Sequence, residues 1–149
     1  AREYRRAYDL ALRKELGNWR LYGLLYMSEA IDAGQPLSAV KFAIEYRSDS
    51  TLGPAVDYIE ALELEALSYT EPGSVSPRRF ASVCDGLSRS QHYSTSFIPR
   101  CYLRVAQLWA SSGKRSSALK ARDRALHWPI DATDPDAQRF RSRVEAWHP

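Results

Sequence analysis

The chain has 149 residues, of which 44% are hydrophobic and 11% aromatic, so it can bury a core and does not have the composition of a disordered sequence. Its formal net charge of +3 comes from 21 lysines and arginines against 18 aspartates and glutamates, a mild basic excess that falls short of a dedicated nucleic-acid binder. No run of about eighteen apolar residues occurs, so no membrane-spanning helix is predicted. We predict one domain over residues 1–149. Because the sequence begins with Ala1 rather than methionine, we expect it to be part of a longer protein.

The first two predicted helices lie before Gly34. Residues 2–16 are amphipathic, with arginines and lysines opposite an apolar face, and Gly17 is predicted to end this helix. The apolar face consists of Tyr4, Tyr8, Ala11 and Leu12. Asn18 is predicted to cap the second helix, WRLYGLLYMSEAIDA, which is apolar around most of its circumference. We expect this second helix to be central and buried.

Two further helices are predicted before residue 70. Gly34 stops the second helix and Pro36 opens the third, which ends near Ser48. The stripe of the third helix consists of Ala39, Val40, Ala43, Ile44 and Arg47. Residues 54–69 form a fourth helix, whose outer surface carries the carboxylates of Asp57, Glu60, Glu63 and Glu65. No histidine or cysteine lies among them, so a solvated or salt-bridging face is predicted rather than an acid–base or metal site.

The fifth predicted helix begins at Ser76 and Pro77, an N-cap followed by a first-turn proline. Its buried face consists of Phe80, Val83, Cys84 and Leu87. Cys84 and Cys101 each lie on an apolar helical face, and we predict that both are small core residues rather than a bridge or metal ligands. The polar loop 90–97 contains His92 and Tyr93. With the arginines near it in the sequence, this loop is the predicted place for an anionic ligand.

Residues 99–129 have the pattern of two helices folded back on each other. Pro99 suits a first helical position, Gly113 suits a left-handed stop, and Pro129 prevents continuation. The first helix of the pair has an apolar stripe of Tyr102, Val105, Ala106 and Trp109. The stripe of the second consists of Ala118, Leu119, Arg122, Ala125 and Leu126. This spacing predicts a helical hairpin.

This hairpin resembles a tetratricopeptide repeat. When Ala118 is set at the invariant small position, the other signature positions of the repeat are occupied by Tyr102, Val105, Ala106, Trp109, Gly113 and Ala125. The sequence departs from the pattern at Arg122, where a large apolar residue is expected, and Pro129 comes one residue early. The resemblance implies an all-α, right-handed stack of antiparallel helix pairs, in which the first helix of each pair lines a concave groove.

An internal repeat extends this interpretation to the whole chain. Gly34 and Ala39 lie 79 residues before Gly113 and Ala118, a shift of about two helical hairpins. After the hairpin, Asp134 and Pro135 are predicted to cap and open a last helix. The aspartates around them lack the glycine and closing glutamate of a calcium-binding EF-hand. The last helix has a stripe of Ala137, Phe140, Val144 and Trp147, so about four hairpins, or eight helices, account for the chain.

A second resemblance concerns the last quarter of the chain. It is similar to the soluble C-terminal domains of bacterial membrane O-oligosaccharyltransferases and O-antigen ligases. The residues that carry the similarity are Ala125, Leu126, Pro129, Ala137, Phe140 and Pro149. In that family the transfer chemistry belongs to the membrane part, so the resemblance implies an accessory domain and assigns no catalytic residue to this chain.

The sequence indicates binding rather than catalysis. It contains no glycine-rich phosphate loop, GxSxG or HExxH motif and no cysteine–histidine spacing for zinc, so we predict no enzyme activity, no cofactor and no metal. We predict a scaffold or adaptor that holds a peptide or partner helix through side-chain pockets and arginine–carboxylate contacts. The resemblance to the repeat family places on its concave face Arg100, Leu103 and Gln107 of one repeat and Ser28 and Leu24 of another, although Leu24 is predicted to be a core residue. Arg104, near the polar loop in the sequence, completes the predicted binding residues.

Two alternatives stay open at this point. One is the accessory domain of a membrane glycan-transfer enzyme, which requires export. The other is a weak binder of nucleic acid or another anion, whose affinity would fall steeply with salt. The location is therefore open between the cytoplasm and, for an appended domain of a membrane protein, the periplasm.

Overall fold

A computed structural model of the chain describes residues 2–48, 52–90, 92–93 and 96–149. Within these ranges the chain forms eight α-helices, one short 3-10 turn at Pro72–Ser74 and no strand, which confirms the prediction of an all-α fold with eight helices. The helices are α1 (Arg2–Arg13), α2 (Trp19–Asp32), α3 (Pro36–Ser48), α4 (Ala55–Thr70), α5 (Pro77–Ser90), α6 (Phe97–Ser111), α7 (Arg115–His127) and α8 (Pro135–Ala146). None of these helices is long and apolar enough to cross a bilayer.

The chain divides into two compact units, residues 1–75 (unit 1) and residues 76–149 (unit 2). Within each unit the first helix packs on the second, the second on the third, and the fourth on both the second and the third. The internal repeat is visible in the helix bounds, because α3 spans 36–48 and α7 spans 115–127, an offset of 79 residues at both ends. The prediction of a single domain over 1–149 stays a prediction.

Glycines end α2 and α6 as the sequence predicted. Gly34 and Gly113 adopt left-handed φ angles of 75° and 73°, which an L side chain tolerates poorly. After each glycine the next amide donates back to the helix, from Gln35 to the Ala30 carbonyl at 2.8 Å and from Lys114 to the Trp109 carbonyl at 2.9 Å. The two hairpins therefore turn by the same backbone device.

The end of α1 differs from the prediction. The left-handed residue is Glu15, with a φ of 54°, and the Leu16 amide donates to the Ala11 carbonyl at 2.9 Å. Gly17 does not have a positive φ. Asn18 occupies the predicted N-cap position of α2, but its side chain makes no cap hydrogen bond, and its Nδ2 donates instead to the Tyr22 hydroxyl at 3.1 Å.

Two other predicted caps are present. Asp134 accepts hydrogen bonds from the amides of Asp136 and Ala137 at the start of α8, and the Ser76 hydroxyl accepts from the Arg79 amide at the start of α5. The start of α6 lies at Phe97, two residues before the predicted first position at Pro99. The local signals thus located most helix ends to within two residues.

Buried aromatic rings fill the centre of unit 1. The ring of Tyr8 on α1 lies 5.0 Å from that of Phe42 and 5.6 Å from that of Tyr46, both on α3, and 6.0 Å from that of Trp19. Tyr46 lies over Gly23 of α2, where a Cβ atom would come within 2.1 Å of its ring. Its hydroxyl donates to the Arg20 carbonyl at 2.5 Å. These contacts connect the first three helices of unit 1.

The buried stripes of α3 and α7 differ from those predicted. In α3 the structure buries Phe42 and Tyr46 beside the two alanines and leaves Ile44 69% exposed. In α7 it buries Ala121 and leaves Leu119 41% exposed. The helical period allows two adjacent stripes, and packing against the neighbouring helix selects the other one.

The acidic face of α4 is only partly solvated. Glu63 forms an ion pair with Arg47 of α3, and Asp57 is exposed, as predicted for a salt-bridging surface. Glu65 is buried, with 5% of its surface exposed, so its assignment to that surface is corrected. Glu65 lies on the side of α4 that also buries Leu62, Ser68 and Leu64.

A disulfide joins α5 and α6 in unit 2. Cys84 and Cys101 are both buried, as predicted, but their sulfurs are bonded and their Cα atoms lie 5.7 Å apart, which corrects the prediction of two separate core thiols. Two cysteines 17 residues apart on different helices meet only because α5 packs antiparallel on α6. That packing cannot be predicted from the local pattern.

Arginines connect the ends of α7 and α8. Arg122 of α7 donates to the carbonyls of Trp147 and Glu145 at 2.8 and 3.2 Å. Arg141 of α8 donates to the carbonyls of Leu126 and Trp128, both at 3.0 Å. Each helix of this arginine clasp therefore satisfies carbonyls near the C-terminal end of the other. The clasp also gives a physical reason for Arg122 where the repeat pattern expects an apolar residue.

Candidate functional site

The candidate site lies between the first and third helices of unit 2. In unit 1 the corresponding space holds the rings of Tyr8, Phe42 and Tyr46. The residues 79 positions after Phe42 and Tyr46 are Ala121 and Ala125. With these small side chains on α7, unit 2 has an open groove of about 500 Å³, a size within the range of ligand sites.

Three helices form the groove. Its floor is one face of α6, where Tyr102, Val105 and Trp109 lie at i, i+3 and i+7. The α5 wall consists of Ala81 and Asp85, one turn apart. The α7 wall consists of Ser117, Lys120, Ala121, Asp123 and Arg124. The floor thus contributes mainly aromatic and apolar side chains, and the charged side chains of the groove come from its two walls.

A hydrogen-bonded network crosses one end of the groove. The Tyr102 hydroxyl donates to Asp85 Oδ1 at 2.6 Å, and the Arg124 guanidinium forms an ion pair with the same oxygen. The guanidinium also lies 5.7 Å from the centre of the Tyr102 ring, within cation–π range. Asp85, Tyr102 and Arg124, here called the cross-groove network, therefore link α5, α6 and α7.

Two members of the network, Tyr102 and Arg124, have raised pKa values. Loss of solvent around the Tyr102 hydroxyl raises its pKa, and the hydrogen bond to Asp85 raises it further. The pKa of Arg124 is raised by its hydrogen bond to Tyr102 and by the charge of Asp85. Tyr102 therefore remains a neutral donor and Arg124 a cation, a combination that suits binding.

Unit 1 has a similar link of opposite polarity. Arg5 of α1 donates to both carboxylate oxygens of Glu45 on α3, at 3.0 and 2.5 Å. This hydrogen bonding to Glu45 is the main cause of the raised pKa of Arg5. Arg124 stands 79 residues after Glu45. The first helix thus supplies the cation in unit 1 and the anion in unit 2.

The remaining charges at the groove differ in their pairing. Asp123 lies 3.0 Å from His127 Nδ1, one turn along α7. Lys120 is exposed on the α7 wall and makes no ion pair with the residues that the structure describes. The aspartates before α8 make local hydrogen bonds. Asp131 accepts from the hydroxyl and the amide of Thr133, and these bonds lower the pKa of Asp131. Asp134 accepts from the Asp136 amide and caps the helix. Among the described residues no cluster of three metal ligands occurs.

The five predicted binding residues lie elsewhere. Ser28 belongs to unit 1 and is buried, with its hydroxyl donating to the Leu25 carbonyl. The other four are on α6, where Arg100 and Leu103 are buried and Arg104 donates to Gln107 at 2.9 Å. The guanidinium of Arg100 lies 5.3 Å from the Phe140 ring. These positions suit packing, and a binding role for them stays a prediction.

Sequence reasoning missed part of the groove. Tyr102 and Trp109 were singled out as repeat positions, whereas Asp85 and Arg124 lie 39 residues apart and have no sequence signal that pairs them. The polar loop proposed for an anion is described only in part, since residues 91, 94 and 95 lie outside the described ranges. In the part that is described, the rings of His92 and Tyr93 are 5.0 Å apart.

Compared with protein-family models, curated proteins and solved structures, the chain matches none of them. Both resemblances noted in the sequence therefore stay predictions. The groove, its cross-groove network and its counterpart in unit 1 are the observations from which a function can be argued.

Proposed function

We propose that the chain is a non-catalytic interaction module and that unit 2 holds a peptide or a partner helix in its groove. The observation that supports this most is the difference between two matched spaces. Unit 1 fills the space between its first and third helices with Tyr8, Phe42 and Tyr46, and unit 2 has Ala121 and Ala125 on the third helix instead. Open space beside a buried apolar floor favours an occupant from outside the unit.

The dimensions of the groove suit a short segment. Tyr102 and Trp109 are separated by two helical turns, about 10 Å along α6. An extended chain rises about 3.3 Å per residue, so about three peptide residues would contact the floor. A partner helix would present about two turns. Both fit recognition by a few anchoring side chains with a polar rim.

We also propose that the helix pairs form a right-handed, tetratricopeptide-like stack. The equal offset of α3 and α7 and the matched packing within each unit support it. In such a stack the groove would be one segment of a longer concave surface.

Filling the groove tests the proposal. Ala121→Phe copies the residue that unit 1 has at this position, and Ala81→Leu narrows the groove from the opposite wall. A display library of short random peptides would be selected against the disulfide-bonded chain, and the selected peptides would be measured against both variants. We expect each variant to lose most of the binding, with helix content checked by circular dichroism. Failure to select any peptide, or equal binding by all three proteins, would contradict the proposal.

A second candidate function has one observation in its favour. Buried disulfides are typical of exported proteins, and the Cys84–Cys101 bond therefore supports an oxidising compartment. An accessory domain of a bacterial membrane O-oligosaccharyltransferase or O-antigen ligase would be in such a compartment. Alkylation of free thiols in intact producing cells tests this candidate. Oxidised Cys84 and Cys101 are expected, and reduced thiols in the cell would argue against it.

A further inference from the structure

The two units carry opposite net charge. Unit 1 has 8 lysines and arginines against 12 aspartates and glutamates, a net charge of −4. Unit 2 has 13 against 6, a net charge of +7. The mild charge of the whole chain hides this asymmetry. The groove therefore lies in the basic unit, whose field attracts anions.

The ion pairs within the groove also favour an anionic ligand. Asp85 forms an ion pair with Arg124, and Asp123 Oδ1 lies 3.0 Å from His127 Nδ1, so each of the two carboxylates of the groove has a nitrogen atom of the chain beside it. Lys120 makes no ion pair with the described part of the chain. Its ammonium group is thus the charge on the groove wall that an occupant would meet first.

The groove has an apolar lining, and the unit that contains it is basic. Val105 and Trp109 belong to its floor, and Ala81 and Ala121 belong to its two walls. A ligand that satisfies the whole surface needs an apolar side chain for the floor and an anionic group for the edge at Lys120. A peptide with an acidic residue next to an apolar one has both.

We propose that the groove selects acidic peptide segments, an inference that rests on the proposed function. One carboxylate of the peptide pairs with Lys120, and a neighbouring apolar side chain packs on Trp109. A nucleic acid fits less well, because backbone recognition needs several unpaired cations in a row and Arg124 is occupied by Asp85. The disulfide also favours a compartment outside the cytosol.

The test uses three synthetic peptides with the same apolar residues and with glutamate, glutamine or lysine at the other positions. Fluorescence anisotropy measures each against the disulfide-bonded chain. We expect the glutamate peptide to bind tightest and Lys120→Glu to weaken it about fivefold, as for a strong exposed ion pair. Lys41→Glu is the matched control: Lys41 is exposed on α3, 79 residues before Lys120, and the change in net charge is the same. It should leave the affinity unchanged.

The outcomes separate the two proposals. Equal binding of all three peptides, with loss in Ala121→Phe, overturns the acidic preference and leaves the binding groove intact. Equal weakening by Lys120→Glu and Lys41→Glu also overturns it, because the effect then comes from net charge. Displacement of the glutamate peptide by a single-stranded oligonucleotide, with a steep dependence on salt, overturns it in favour of nucleic acid. If Ala121→Phe changes the binding of none of the peptides, both proposals fail.

Discussion

Units 1 and 2 pack four helices in the same order and differ in how they use the space between the first and third. In unit 1, Gly23 on the second helix makes room for the ring of Tyr46 on the third. The residues 79 positions later are Tyr102 and Ala125. The large side chain of this pair is therefore on the third helix in unit 1 and on the second helix in unit 2. Unit 1 thereby gains an aromatic core, and unit 2 gains a groove with a tyrosine in its floor.

The ion pairs between first and third helices show the same exchange. In unit 1 the first helix supplies Arg5 and the third Glu45, whereas in unit 2 the first helix supplies Asp85 and the third Arg124, so the charges are reversed. Both units therefore keep an ion pair between the first and third helices, but its surroundings differ. Arg5 lies over the Phe42 ring, whereas Arg124 lines an open groove. The same packing pattern can thus enclose a solid core or leave an open groove when a few side chains are exchanged.

The largest predicted effect concerns the covalent link, which unit 2 has and unit 1 lacks. Replacing Cys84 and Cys101 together by alanine should lower the free energy of unfolding by about 3 kcal/mol, the value for closing a loop of this length. Urea unfolding followed by circular dichroism measures it. Reductant should lower the stability of the natural chain by a similar amount and leave the double variant unchanged. An unaltered midpoint in the variant would show that helix packing alone holds α5 on α6.

The second prediction compares two helical glycines, Gly23, which lies against the Tyr46 ring, and Gly86, which has open space beside it. Gly23→Ala should cost about 2 kcal/mol, because the new methyl group would overlap the buried Tyr46 ring, which is also held by a hydrogen bond. Gly86 lies inside α5, and a methyl group added there would meet no neighbouring side chain within 4 Å, so Gly86→Ala should stabilise by about 1 kcal/mol. Chemical denaturation distinguishes the two. Equal effects would mean that helix propensity alone decides both.

The third prediction concerns the reversed ion pairs. Asp85→Ala should cost about 1 kcal/mol, because it removes the ion pair and the acceptor of the Tyr102 hydroxyl. Glu45→Ala should cost less, since within the described ranges no hydroxyl group donates to Glu45. Unfolding measured at low and high salt should show both losses shrinking as screening increases. A larger loss at Glu45 would reverse the order.

The smallest predicted effect is a dependence on pH. Burial and Asp85 raise the pKa of Tyr102, so its contribution is fully present below the ordinary tyrosine pKa and is lost as the pH rises through the raised value. Stability measured from about pH 8 to about pH 11 should therefore fall less steeply for Tyr102→Phe than for the natural chain. Parallel curves would show that the hydroxyl titrates alike in the folded and unfolded chain.

Local signals predicted the helices well and their packing less well. Gly34, Gly113 and Asp134 act within one turn of backbone, so the sequence specified the helix ends that they form. The buried faces of α3 and α7 depend on which neighbour each helix meets, and this explains why Ile44 and Leu119 are exposed against expectation.

The groove was predictable only in part. The repeat pattern singled out the aromatic residues of its floor, Tyr102 and Trp109. The partners of Tyr102 come from α5 and α7, and the disulfide likewise depends on two helices meeting. Such contacts follow from tertiary packing, which a single sequence does not encode at any fixed spacing.

The arginine clasp between α7 and α8 has a consequence for acid conditions. Its hydrogen bonds join the guanidinium groups of Arg122 and Arg141 to backbone carbonyls, a kind of contact that acid does not break. The cross-groove network depends instead on a carboxylate, and contacts of that kind weaken in acid. During acid unfolding the last turns of α7 and α8 should therefore fray late and together, so their amides would keep slow hydrogen exchange after the cross-groove network has come apart.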